Sequence, residues 1–82
     1  LNPMQIHVVG SLNDAVTRRF RSESLKPYNP LKVVETLDPV LHPDRLDALG
    51  YPVTETPTAY VCFEGKCMSV ENPKNIAKTI RP

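Results

Sequence analysis

Cys62 and Cys67, five positions apart, are the residues of this chain best suited to chemistry, and they are its only cysteines. A thiol pair at that spacing can exchange between dithiol and disulfide, or it can close a structural or regulatory disulfide. A cysteine in a strand also serves commonly as a small buried hydrophobe. Metal binding is the weakest fit. A zinc site wants four ligands, often with a close pair such as Cys-x2-Cys, and the only histidines are His7 and His42. His7 falls in a strand and His42 beside a helix start, where structural or solvated roles are usual. Glu35, Asp38, Asp44 and Asp47 form no acid–base pair by spacing, and Asp44 is explained by the dipole of a first helical turn. Gly10, Gly50 and Gly65 are too far apart for a phosphate loop. Gly10-Ser11-Leu12-Asn13 lacks the flanks of a nucleophile elbow. No catalytic residue, metal or cofactor is therefore expected; the redox candidates are Cys62 and Cys67.

What the pair can do depends on the hairpin that carries it. Tyr60-Val61-Cys62-Phe63 favours a pleated, buried surface and reads as a strand. Glu64-Gly65 is a turn signal, and 66–70 returns as a second strand. Glu71-Asn72-Pro73 stops it, with Asn72 able to cap a helix that Pro73 begins. A two-residue loop, Glu64-Gly65, or a four-residue loop from Phe63 to Lys66, sets Cys62 opposite Cys67. A three-residue loop with a glycine bulge slips the register by one and turns the thiols to opposite faces. Glu at positive φ counts against the two-residue turn and leaves the other loops competing. Opposed thiols are expected, close enough to oxidise and reduced in a cytosolic setting.

Five further elements frame the hairpin. Residues 5–10, ending in Gly10, form a short apolar run suited to a buried parallel strand. Asn13 or Ser11 can cap a helix whose apolar face is Leu12, Val16 and Phe20, with Asp14 in its first turn. A proline-broken loop over 22–30 leads to a second strand at 31–37, stopped by Asp38-Pro39. His42-Pro43-Asp44 opens a short helix with Leu46 and Leu49 inward and Gly50 past its end. A connector over 51–56 precedes the hairpin, and 75–80 forms the last helix with Ile76, Ala77 and Ile80 as its face. The order βαβαββα fits two α/β architectures. One is a small Rossmann-like sheet with three parallel strands. The other is a four-stranded mixed sheet with the third strand antiparallel beside the first.

At 82 residues the chain is one domain of modest stability. A net charge of +1 argues against nucleic acid as a partner. Arg18, Arg19 and Arg21 read as a solvated helix face. No apolar run approaches the ~18 residues of a membrane span, and there is no signal peptide, so no membrane partner and a cytoplasmic location are expected. Nine prolines fall mostly at element boundaries and read as punctuation.

The second half of the chain resembles thioredoxin-fold proteins. Val33-Val34-Glu35-Thr36-Leu37-Asp38 is similar to their second strand with its trailing Asp. Tyr51, and then Thr56-Pro57-Thr58, resembles the approach to their cis-proline loop. The resemblance implies a thioredoxin-like fold for residues 1–82, a cis Thr56–Pro57 bond, and a third strand antiparallel to the first. Pro57 to Cys62, with Cys67 and a capped helix after it, is also similar to the C-terminal segment of a narrower group. These are large thioredoxin-domain-containing proteins related to the spermatogenesis-associated thioredoxin-like protein. That resemblance implies that the chain is a fragment of a larger protein, its partners a thioredoxin domain and a helical barrel. One departure is decisive for activity. Thioredoxin oxidoreductases carry Cys-x-x-Cys where the first strand meets the first helix, and here Gly10-Ser11-Leu12-Asn13-Asp14 holds no thiol. A non-catalytic accessory domain is the expected function, with a redox domain using Cys62 and Cys67 as the rival. A small-ligand domain using the cleft beside Pro57 is a weaker third.

Overall fold

The computed structural model describes residues 3–27, 30–52 and 54–80. Expectations for Leu1, Asn2, Tyr28, Asn29, Val53, Arg81 and Pro82, including parts of the loop at 22–30 and the connector at 51–56, lie outside the described residues. Strand β1, Met4–Val9, sits inside the sheet and is buried on both faces. Ile6 and Val8 point to one side, His7 and Val9 to the other, as the two-residue period of a strand requires. Helix α1, Ala15–Leu25, returns the chain to β2, Lys32–Leu37, which pairs with β1 in parallel. Helix α2, Pro43–Leu49, precedes the hairpin of β3, Thr58–Phe63, and β4, Lys66–Val70. A 3-10 turn at Pro73–Asn75 runs into α3, Ile76–Ile80. Asn72 caps that turn through the Lys74 amide at 3.0 Å, with Pro73 in its first position, as expected.

The sheet order is β2-β1-β3-β4, with β3 antiparallel to both neighbours. The fold is therefore the expected α/β, βαβαββα arrangement on a four-stranded mixed sheet. The antiparallel β1–β3 pair rules out the Rossmann-like alternative. The two faces are covered unequally. Phe20 of α1 and Ile76 and Ile80 of α3 pack on Ile6, Val8, Ala59, Val61 and Val70. On the other face Leu46 of α2 covers Val9 and Leu37, with Leu49, Tyr51 and Tyr60 around them.

Four expectations change. The buried stripe of α1 is Thr17, Phe20 and Ser24, while Leu12 and Val16 are exposed. The cap is Asp14, whose carboxylate accepts the Val16 amide at 2.8 Å, so the helix starts later and leaves Leu12 outside it. The helix also runs on through Leu25, where a loop was expected, with Ser24 buried on its inward side and its hydroxyl donated to the Phe20 carbonyl at 2.7 Å. The Thr56–Pro57 bond is not cis: among the described residues no peptide bond is. Trans is favoured by about 0.5–1 kcal/mol, and Pro57 is already buried in that form. The β3–β4 loop is the two-residue turn that Glu64 counted against. Glu64 has φ 51° and Gly65 φ 79°, both positive as a type I′ turn demands. Its twist matches that of the strands, which keeps pairing intact up to Phe63 and Lys66 and outweighs roughly 1 kcal/mol for a non-glycine residue there.

Candidate functional site

The register of the hairpin brings Cys62 and Cys67 face to face, and the two are joined by a disulfide with Cα atoms 4.0 Å apart. Phe63 and Lys66 close the turn as the hydrogen-bonded pair of a two-residue hairpin, so Cys62 and Cys67 occupy the non-hydrogen-bonded pair that follows. Side chains approach most closely at such a pair, where Cα atoms lie about 4.5 Å apart. β4 is an edge strand, and Cys67 on it is exposed; Cys62, one strand further in, is half-buried.

Tyr51 reaches this disulfide from above the sheet. Gly50, at φ 76°, ends α2 in a left-handed conformation, and its amide bonds the Asp47 carbonyl while the Tyr51 amide bonds that of Leu46 at 3.2 Å. This Schellman motif turns the chain back onto the sheet. The Tyr51 ring stacks on Tyr60 at 4.2 Å between centroids, and its hydroxyl lies 3.3 Å from the Cys62 sulfur and 2.7 Å from His7 Nδ1. Tyr60 and Glu35 flank His7 in the ladder on either side, so all three share one face. His7 Nε2 faces Glu35 Oε1 at 3.5 Å. Arg45 of α2 then holds Glu35 with two bonds of 3.2 Å. A continuous polar row thus runs from Arg45 through Glu35, His7 and Tyr51 to Cys62.

The electrostatics follow from burial. His7, at 5% exposure, is held below its ordinary pKa because burial disfavours the imidazolium. Glu35 pulls the other way and Arg45 adds to the lowering. Burial also raises Tyr51, and the Arg45 hydrogen bond lowers Glu35. An ionised Glu35 only accepts, which places the neutral His7 ring proton on Nε2 and leaves Nδ1 to take the Tyr51 hydroxyl proton.

Thr56, Pro57 and Thr58 are not part of this constellation. Thr58 pairs with Val9 at the far end of β1, four residues along β3 from Cys62, or about 13 Å. The cleft beside Pro57 is about 190 Å³ and takes in Asp14, Asp38 and Glu55, smaller than the ~300 Å³ at which small-molecule sites begin. Asp38 is occupied there by the Leu12 and Val40 amides at 3.0 and 2.8 Å, and these bonds lower its pKa. The cleft beside the disulfide is about 440 Å³ and is lined by Gln5, His7, Leu49 and Tyr51 among others. Among the described residues no three His, Cys, Asp or Glu side chains converge as a metal would need, and no helix is long and apolar enough to cross a membrane. Tyr51, His7, Glu35 and Arg45 are the site residues that sequence reasoning missed. The alternation of His7 and Glu35 within apolar strands was the available signal.

The chain is thus an α/β protein with a cross-strand disulfide on the less covered face of a mixed sheet. No family model matches it, and no curated protein matches it either.

Proposed function

We propose that the chain is a thioredoxin-like accessory domain of a larger protein, carrying its own thiol–disulfide couple in Cys62 and Cys67. The observation that carries this reading is the Tyr51 hydroxyl 3.3 Å from the Cys62 sulfur, with Cys67 exposed on the edge strand. A disulfide serving only as a staple gains most from a long loop. The 62–67 ring is short, and closing about six residues stabilises by only about 2 kcal/mol in the chain-entropy model. The strand order β2-β1-β3-β4 with β3 antiparallel supports the thioredoxin-like reading. The thiol-free Gly10–Ser11 junction argues against general reductase activity.

A redox titration in glutathione buffers, quenched by alkylation and read by mass, tests the couple. Opening is expected at a midpoint above about −300 mV, the level below which structural disulfides resist the glutathione pool. A pair still closed there is a staple, and the redox reading fails. In a dithiothreitol-driven insulin assay, no turnover above the reagent blank is expected. Cys67 lies within strand β4, and among the described residues no helix begins there to make it a strong attacking thiolate. Turnover that is lost on Cys62→Ser would overturn the accessory reading in favour of an enzyme.

A further inference from the structure

We propose that an external thiolate enters at Cys67 and that Tyr51, backed by His7, receives the departing Cys62 thiolate. This rests on the reading of the pair as a redox couple. Attack on a disulfide runs along the sulfur–sulfur axis, so a nucleophile aimed at Cys67 comes from beyond β4, the open edge of the sheet. Attack on Cys62 has to come from the opposite side, where β1 lies and where Tyr51 spans His7 and Cys62. Cys67, the exposed residue, is the entry point, and the half-buried Cys62 holds the leaving group.

The step balances with a thiol as reductant. A thiolate forms a bond to the Cys67 sulfur, the Cys62–Cys67 bond breaks, and its electron pair stays on Cys62. A second thiolate then attacks the mixed disulfide at the incoming sulfur and releases Cys67 as a thiolate that takes a solvent proton. Two thiols become one disulfide and the protein gains two electrons. The new negative charge on Cys62 draws the Tyr51 hydroxyl proton away from His7 Nδ1. Nδ1 is then free to bind a solvent proton and donate it to the Tyr51 oxygen, while Nε2–H stays toward Glu35. The groups facing this row are Glu35 and Arg45 behind His7, Tyr60 stacked on Tyr51, and Glu64 on the rim of the same cleft. The charge on Cys62 is answered by an imidazolium two hydrogen bonds away rather than by water.

The test uses the whole chain in three measurements. Brief exposure to glutathione, acid quenching and peptide mapping should place the mixed disulfide on Cys67; adducts on Cys62, or on both equally, overturn the proposed polarity. NMR titration of His7 in the oxidised and dithiothreitol-reduced protein should show a higher pKa after reduction, by about one unit or more as for a new opposite charge nearby. An unchanged His7 overturns the relay. Tyr51→Phe keeps the ring that stacks on Tyr60, and opening by dithiothreitol should slow about tenfold, the scale of one lost hydrogen bond to a charged group. An unchanged rate in a folded variant counts against the relay, and the His7 titration of the unsubstituted protein decides it should the variant not fold. Excess dithiothreitol opens even a staple, so the His7 titration and the Tyr51→Phe rate stand apart from the glutathione midpoint: the couple can fail while the relay holds, and the reverse.

Discussion

A single atom decides several features of this molecule, and Gly10 shows how. A Cβ placed there would lie 2.3 Å from Thr17 Oγ1 and 2.9 Å from Pro57 Cβ. Glycine is required because α1 and the loop before β3 both press on the end of β1, not because of a special backbone angle. Gly10→Ala is expected to cost about 1–3 kcal/mol, the usual range for overpacking a tight site, read as a lower urea midpoint at unchanged slope. Stability within error of the parent would mean that Thr17 rotates aside without penalty. The sequence pointed to Gly10 only as the end of an apolar run, since its neighbours are 7 and 47 positions away and come together only in the fold. Tyr51 was hidden in the same way. It read as a landmark before Pro57, yet its position depends on the αL geometry of Gly50 and on the register that sets His7 beside Tyr60.

At the scale of elements the sequence was far more legible. Apolar runs, Asp38-Pro39, Pro43, Gly50 and Gly65 mark the strands and the other helices to within a residue or two, α1 excepted, because turn and cap chemistry is local. Register and face are not local. Leu12 and Val16 are spaced as a helix face, but with the cap at Asp14 Leu12 lies outside α1, and packing against the sheet turns Thr17, Phe20 and Ser24 inward. The hairpin loop was undecided for a related reason: a strained Glu64 costs something locally that strand pairing repays only at a distance. The disulfide adds to that pairing. Replacing both Cys62 and Cys67 by Ala is expected to cost about 2 kcal/mol, a loss on the order of 10 °C in melting temperature for a domain of this size. Melts of the double variant should match those of the parent under reducing conditions. A parent that melts no higher when oxidised would show that the cross-link contributes nothing to holding β4.

The molecule as a whole is a sheet with one well-covered face and one lightly covered face, and its response to acid follows from what the second face holds. His7 is kept neutral by burial, so its folded pKa lies below the ordinary 6.5. The unfolded chain therefore takes up a proton that the folded protein resists. This stability is complete above about pH 6.5 and is lost as pH falls through the folded value. Asp38 and Glu35 carry the same sign. Bonds from the Leu12 and Val40 amides hold Asp38 below 3.8, and Arg45 holds Glu35 below 4.5. Their contributions are present above those values and disappear as pH falls through the folded ones. Acid should thus act in two stages: a decline in the urea midpoint that begins below about pH 6.5, and a second decline below the ordinary carboxylate range. His7→Gln, which keeps a polar group between Tyr51 and Glu35, should remove the first stage and leave the second. Should the oxidised protein instead gain stability between pH 7 and 6, His7 would be an imidazolium paired with Glu35 in the folded state. The neutral His7 that accepts the Tyr51 proton would then be wrong.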